Sequence, residues 1–313
     1  MISVCMATYN GEKFIYKQLE SLYRQSRPAD EVIICDDGSQ DHTVEIVQQF
    51  IDTFQLSRHW KLFVNECNKG YPDNFYYAMS LCSGDLIFPA DQDDWWKEDK
   101  LDVMAAVMEQ DEKMDLLASK WGIVDQDDHI LKEISHGTAS EDGALREVCV
   151  RDIFYFYEWP GMCMGFRKEL AEQVLEARRG SALAHDVALG LVAAEQRKFF
   201  CLNRVLQYHR RHQDNLAKEE HRIRKLLNKE RKVDEIERYL KMLRDVEDSA
   251  CLSEEAHIAI VEKKKAIMQE RLENLLQGKR LAMLNQYRKH RDEVRPATLV
   301  CDLLIAGKKS VVP

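Results

Sequence analysis

The stretch ISVCMATYNG at residues 2–11 decides the reading of the chain. Ile2–Ala7 is a short apolar run, which reads as a buried strand, and it passes straight into the polar turn Thr8-Tyr9-Asn10-Gly11. The same form returns twice. Glu31–Cys35 is a second apolar run and opens into Asp36-Asp37-Gly38-Ser39. Leu86–Pro89 is another, and opens into Asp91-Gln92-Asp93-Asp94. Between them lie amphipathic stretches: Glu12–Gln25 with Phe14, Ile15, Leu19 and Leu22 at helical spacing, Asp41–Phe50 with Asp41 as N-cap, and Tyr71–Cys82. Lys61–Val64 adds a short strand, Lys97–Glu109 a helix and Leu116–Trp121 a further strand. Strands alternating with helices of this length predict an α/β fold built on a parallel sheet with right-handed crossovers.

Working outward, the pattern weakens over residues 122–160, where the aromatic run Phe154–Trp159 suggests an irregular region that shapes a pocket. It resumes with a strand at Met162–Phe166, helices at Lys168–Arg178 and Val187–Glu195, and a final strand at Phe199–Tyr208. From Leu216 to about Arg291 the sequence is almost free of Pro and Gly. Ile223, Leu226, Leu227 and then Ile236, Leu240, Leu243 predict long amphipathic helices, broken near Gly278. We divide the chain into a domain at 1–216, a helical region at 217–295 and a tail at 296–313.

The 313 residues are enough to bury a core without disulfides or a structural metal. Mean hydropathy is −0.45 and no apolar run is long enough to span a membrane. The net charge of −9 argues against a nucleic-acid binder. That charge is uneven: residues 1–216 carry 23 basic and 37 acidic groups, residues 217–313 carry 22 and 17. A basic end can approach anionic lipid or another acidic surface, or can simply be a solvated helical face. The apolar stretch Leu299–Ala306, followed by Lys308 and Lys309, leaves the same two readings open: peripheral membrane contact, or packing on its own domain. Nine scattered cysteines include no CxxC pair, so zinc is not expected, and Cys5 and Cys35 read as core thiols. Together with a start that shows no basic segment and apolar stretch of a signal peptide, this points to a reducing cytoplasm, with the inner face of the cell membrane as the one peripheral location.

In an open parallel sheet, ligands bind beyond the carboxyl ends of the strands. The three polar turns fall there. Tyr9 offers an aromatic face for a base, and Asp37 can accept from a base imide or a ribose hydroxyl. Asp91, Asp93 and Asp94 crowd three carboxylates into four residues, which is costly unless a cation joins them. Hard oxygen ligands suit Mg²⁺ or Mn²⁺, which also holds a diphosphate. Neither a P-loop nor a dinucleotide fingerprint is present.

The order strand–TYNG, then ICDDGS, then Asp-x-Asp after the fourth strand resembles the inverting GT-A glycosyltransferases of family 2. Asn68-Lys69-Gly70 with Asn74, the run from Asp91 to Trp96, PGMCMGFRKEL at 160–170 and His185-Asp186 are similar to its rhamnosyltransferase-like branch. The resemblance covers about residues 1–216 and implies the Rossmann-like GT-A fold, a mostly parallel sheet flanked by helices, here followed by a C-terminal α-helical region. It implies that Thr8, Tyr9, Asn10, Asp36, Asp37, Asn74, Asp91 and Asp93 hold the nucleotide, that Asp91, Asp93 and Asp94 carry the metal, and that Asp186 is the catalytic base. Gly161, Met162 and Cys163, with His185, Trp95 and Trp96, fall on the acceptor side; the two tryptophans are as readily packing residues.

The branch closes its domain with Tyr-Arg-x-His-x-x-Asn. Here Arg210, His212 and Asn215 keep that spacing, which implies that Arg210 and His212 face the diphosphate or donor, but His209 stands where the tyrosine is expected and Val187 where an aromatic is common. Asp125-Gln126-Asp127-Asp128 repeats the acidic letters before apolar Ile130-Leu131 and reads as a turn. The implied activity is metal-dependent, inverting transfer of a sugar, rhamnose from dTDP-rhamnose in the first reading, to a hydroxyl of a bacterial surface polysaccharide or lipid-linked glycan. A UDP-hexose or UDP-N-acetylhexosamine donor is the alternative, and a non-catalytic nucleotide-binding scaffold the remoter one. A homodimer is compatible with the helical region.

Overall fold

The computed structural model describes residues 1–134, 141–156, 159–211 and 228–307. The chain forms two compact units, Met1–His212 and Gln213–Pro313.

The first unit is a mixed sheet in the order β3-β2-β1-β4-β9-β6-β10-β5. Its strands are β1 (Ile2–Thr8), β2 (Glu31–Asp36), β3 (Trp60–Val64), β4 (Leu86–Asp91), β5 (Trp95–Trp96), β6 (Leu116–Val124), β9 (Met164–Arg167) and β10 (Phe199–Arg210). The short β7 (Ile130–Lys132) pairs with β6 and β8 (Leu145–Glu147) with β10. β1 pairs in parallel with β2 and β4, β2 with β3, and β6 with β10. β9 is antiparallel to both neighbours, β4 and β6. β1, β2, β3, β4, β6 and β10 therefore all point the same way, and Thr8, Asp36, Val64, Asp91, Val124 and Arg210 end on one edge. The antiparallel β9 leaves the sheet mostly parallel, as expected. It is entered from the short turn Gly161–Cys163 rather than from a crossover helix, so nothing forces it parallel.

Both faces of the central strands are covered, as a parallel sheet requires. On one face Val4, Met6, Val32, Ile34 and Phe88 pack against Ile15 and Leu19 of α1 (Ile15–Tyr23), Val47 and Phe50 of α2 (Thr43–Thr53), and Leu101 and Met104 of α4 (Lys100–Gln110). Truncating a side chain such as Leu19 to Ala costs about 2–5 kcal/mol. The other face meets α3 (Tyr71–Ser80), with α6 (Lys168–Ala177) and α7 (His185–Glu195) beyond it. The expected core thiols Cys5 and Cys35 are fully buried. The irregular region contains α5 (Val150–Phe156), and its Phe154 and Trp159 are buried, with Trp159 edge-on to Phe199. Of that aromatic run, Phe154 and Trp159 are core residues.

The second unit holds α8 (Lys229–Asp248), α9 (Glu255–Leu276), α10 (Arg280–Lys289) and α11 (Pro296–Ile305). Ile236, Leu240 and Leu243 are buried as their spacing predicts; Ile223, Leu226 and Leu227 lie outside the described residues. The break falls at Gly278, whose φ of +65° favours a residue without Cβ. No described helix is long and apolar enough to cross a membrane.

Candidate active site

The common edge of the parallel strands collects the polar turns, and the hydrogen bonds show how differently their residues are used. Asp36 is fully buried. Its Oδ1 accepts from the N–H of Gly38 (3.1 Å) and Ser39 (2.8 Å), and its Oδ2 from the hydroxyls of Thr8 (2.7 Å) and Ser39 (2.6 Å). A carboxylate has about four acceptor sites, so Asp36 builds the turn and has none left for a nucleotide. Thr8, 2% exposed, is its partner. The sequence expectation for Asp36 is corrected here: adjacent acids on a strand end face opposite ways, and it is Asp37 that faces the loop after β3.

Asp37 accepts from Asn65 Nδ2 (2.9 Å), Lys69 N (2.8 Å) and Gly70 N (2.8 Å), which leaves about one acceptor site on Oδ2. Asn74 is buried with both amide ends engaged: Nδ2 donates to the Cys35 carbonyl (2.8 Å) and Oδ1 accepts from Asn65 (2.9 Å). It braces the wall and presents no edge to a nucleotide, a second correction. Tyr9 is 48% exposed, with its ring open. Asn10, exposed at φ +49°, accepts from Gln40 N through its side chain. Gln92 ties the first turn to the third, accepting from Tyr9 N (2.9 Å) and donating to the Tyr9 carbonyl (3.0 Å).

Behind this rim the acids gather. Asp91's carboxyl is pushed well above the usual range by burial first, then by Asp94 and Asp93. Asp94 is fully buried; its Oδ1 is held by His209 Nδ1 (2.9 Å) and Arg210 N (3.1 Å), and its Oδ2 has no hydrogen-bond partner among the described residues. His209 thus answers the departure noted at its position. Burial alone would lower it, but Asp94 raises it to about 9.

Arg210 also differs from expectation. It is fully buried, and its guanidinium donates to the carbonyls of Asp93 (2.9 Å) and Asp125 (3.1 Å) and pairs with Asp128. It is turned to the 125–128 turn rather than to a diphosphate. His212 and Asn215 lie outside the described residues. The 125–128 stretch is a turn, as read: Asp125 Oδ1 accepts from Asp127 N and His129 N. Asp125, Asp127 and His129 are also the one group among the described residues with three ligand atoms within 4.8 Å of one another.

On the α3 and α7 side, His185 is 1% exposed and stacks on Phe75 (centroids 4.1 Å apart, 21°), with neither ring nitrogen hydrogen-bonded among the described residues; burial lowers its basicity. A Cβ on Gly161 would collide with its Nε2, so glycine there permits the close approach of the Gly161–Cys163 turn. Asp186, 5% exposed, lies in the first turn of α7 and accepts from Val187 N (2.8 Å). The Tyr71 hydroxyl is raised by burial and then by Asp186 and Asp91, and its ring meets His185 edge-on with centroids 5.7 Å apart. Lys100, fully buried, donates from Nζ to the Met162 carbonyl (2.6 Å) and lies over the Trp96 ring, 3.4 Å from its centroid.

Lys100 thus links the Trp96 ring to the Gly161–Cys163 turn. Trp96 is 1% exposed within the core, and Trp95, stacked on Tyr208, opens onto a cavity of about 630 Å³ lined by Lys17, Glu20 and Arg24 of α1. Neither His185 nor Gly161–Cys163 lines that cavity. Asn65, Tyr71, Gln92 and Lys100 were absent from the sequence reading of the site. Gln92 sits inside the acidic motif, which was a usable signal; a lone Asn after a third strand was not.

The family described as "Glycosyl transferase family 2" matches residues 3–174, more than half of the chain. The chain is 32% identical over 108 residues to UDP-Glc:α-D-GlcNAc-diphosphoundecaprenol β-1,3-glucosyltransferase WfgD of Escherichia coli, which covers 34% of this chain and 41% of that protein. It is 36% identical over 99 residues to dTDP-rhamnosyl transferase RfbG of Shigella flexneri, 31% of this chain and 34% of that one. The matched stretch thus spans less than half the length of these relatives. The structure is similar to that of TarS from Staphylococcus aureus in complex with UDP, with a TM-score of 0.59, 18% identity and coverage of 97% of this chain and 89% of that one.

Proposed function

Because the chain belongs to glycosyl transferase family 2, we propose that it transfers a glycosyl group from a nucleoside-diphosphate donor to a hydroxyl of a bacterial surface polysaccharide or lipid-linked glycan, with inversion. One observation carries this: a single sheet edge brings together the open ring of Tyr9, the partly filled carboxylate of Asp37 and the Asp91–Asp94 acids, while Asp186, whose charge raises the carboxyl of Asp91, opens α7.

The base stacks on Tyr9 and its ribose or imide takes the remaining site of Asp37. The acceptor hydroxyl lies by Asp186, which removes its proton as the oxygen attacks the anomeric carbon. The bond from that carbon to the diphosphate oxygen breaks on the opposite face, and the nucleoside diphosphate leaves with the electron pair. Asp91, Asp93 and Asp94 are the residues that would hold Mg²⁺ or Mn²⁺. The crowding of Asp91, Asp93 and Asp94 and the unpartnered buried Oδ2 of Asp94 fit a hard divalent cation. Such a cation supplies neutralisation of charge on the leaving diphosphate. Asp94, bound by His209, sets the direction of the motif.

For the donor, dTDP-rhamnose is the reading from the sequence motifs, supported by the similarity to RfbG. A UDP-hexose donor is the second reading, favoured by the similarity to WfgD. Titration calorimetry with dTDP, UDP, GDP and CDP, each with Mn²⁺ and again with chelator, decides between them. Metal-dependent binding of dTDP favours rhamnose, and of UDP a hexose. Binding of none by the folded chain sinks the transferase reading. Asp186→Asn is expected to retain nucleotide binding while transfer falls by roughly 10²–10⁴-fold; full activity in that variant removes Asp186 as the base.

A further inference from the structure

Single exposed apolar residues need no explanation, but a cluster of them rimmed by one sign of charge does. Within the unit Gln213–Pro313 such a cluster forms where α10 and α11 meet. Leu281 is 78% exposed, Leu304 56%, Val300 54% and Leu276 52%. A Cβ built on Gly278 would stand 2.8 Å from the Ala306 carbonyl oxygen, and one on Gly307 2.7 Å from Arg280 Nη2. The end of α11 thus lies against the turn that opens α10, bringing Leu304 to the same corner as Leu276 and Leu281.

The charges follow the same division. On α11, Ala297, Val300 and Leu304 lie at helical spacing on the exposed side, whereas Asp302 and Ile305 are buried. Asp302 is the only carboxylate of α11, and Arg271 of α9 takes both its oxygens, at 2.7 and 3.0 Å. α10 has no carboxylate. It exposes Arg280, Arg288 and Lys289, with exposed Lys279 just before it, and buries Met283 and Gln286. The outward side of the two helices therefore offers leucine, valine and cations, with its single acid turned inward; the exposed acids Glu273 of α9 and Asp292 of the connecting loop lie outside both helices.

We propose that this corner docks the chain on an anionic phospholipid surface. Apolar side chains enter the headgroup boundary while Arg and Lys reach the phosphates on their long stems. Charge selects this occupant over a second copy of the chain: a symmetric self-contact would press the cations of one copy onto a face whose two helices expose cations and no carboxylate to pair with them. The docking reads as binding alone, so it stands or falls apart from the catalytic assignment.

The test is flotation of the full chain with vesicles of phosphatidylcholine alone and with equal parts of phosphatidylcholine and phosphatidylglycerol. Binding is expected only to the anionic vesicles, falling as salt rises. Arg280→Glu, Arg288→Glu and Lys289→Glu should each weaken it by at least about fivefold per cation removed. Leu281→Asp with Leu304→Asp should abolish it; both positions are exposed, so unchanged circular dichroism and nucleotide binding will separate this from misfolding. Three results each overturn the proposal: no binding to anionic vesicles, binding undiminished by the leucine pair, or a dimer that Leu281→Asp dissociates.

Discussion

Lys100 shows what burial does to one charge. Its ammonium lies under the protein surface with a carbonyl and an aromatic face as neighbours, and burial lowers it to about 7, against the smaller pull of Cys163, Asp94 and Asp91. The unfolded chain returns it to about 10.4. Between those values the unfolded state binds more protons than the folded one, so Lys100 makes stability rise with pH over that window. Below about 7 both states hold the proton and its contribution is flat. Lys100→Met should remove that rise: urea midpoints of the two proteins should diverge in favour of the native chain from about pH 7 to about pH 10. Parallel midpoints would mean the ammonium is not desolvated. Arg210 is the companion case. Its planar fork meets the Asp93 and Asp125 carbonyls and Asp128 together, a geometry lysine cannot reproduce. Arg210→Lys should cost about 1.5–3 kcal/mol in denaturant unfolding and weaken metal-dependent nucleotide binding through Asp93. A variant that loses stability but binds with native affinity would confine Arg210 to the scaffold.

At the scale of elements, the site depends on three strand ends holding a common register. β1 pairs with both β2 and β4, so Thr8, Asp36 and Asp91 reach the edge together. Gln92 then staples the first loop to the third through the Tyr9 backbone. Gln92→Ala frees two backbone groups in an exposed loop, costing roughly 1 kcal/mol of fold stability. Nucleotide affinity should fall more than turnover does, read as a rise in donor KM with little change in kcat; the reverse split would put Gln92 at the reacting centre. The apolar runs made these strands legible, because a buried parallel strand has no solvated face to interrupt them. β5 was not legible: Trp95 and Trp96 form only two residues of ladder, and their pairing with Tyr208 and Gln207 is visible only in three dimensions. Asp36 and Asp37 could not be told apart for a related reason. Both are aspartates at a strand end, and only the hydrogen bonds from Ser39 on one and from Gly70 on the other separate turn-builder from binding residue. Arg210 had the right spacing for a ligand contact, but spacing along a strand says nothing of which carbonyls its fork will meet.

At the scale of the whole molecule, ligand binding and folding are linked. The sheet edge belongs entirely to the unit Met1–His212. A ligand that binds only its folded state, at about 100 times its Kd, adds about 2.7 kcal/mol. For a unit of this size each kcal/mol moves the midpoint by about 2–4 °C, so the accepted nucleotide with Mn²⁺ should raise the melting temperature by roughly 5–10 °C. The full chain is the material, because no part has been shown to fold alone. Chelator should reduce the rise to that given by nucleotide without metal, since Asp91 and Asp93 then meet the diphosphate as uncompensated like charges. Asp91→Asn with Asp93→Asn removes that repulsion along with the ligands. The doubly substituted chain should therefore lose its response to Mn²⁺ while being no less stable without ligand, because the desolvated charge of Asp91 has gone. A rise that is equal with and without chelator in the native chain would separate nucleotide binding from the metal and leave the acid cluster without its assigned role.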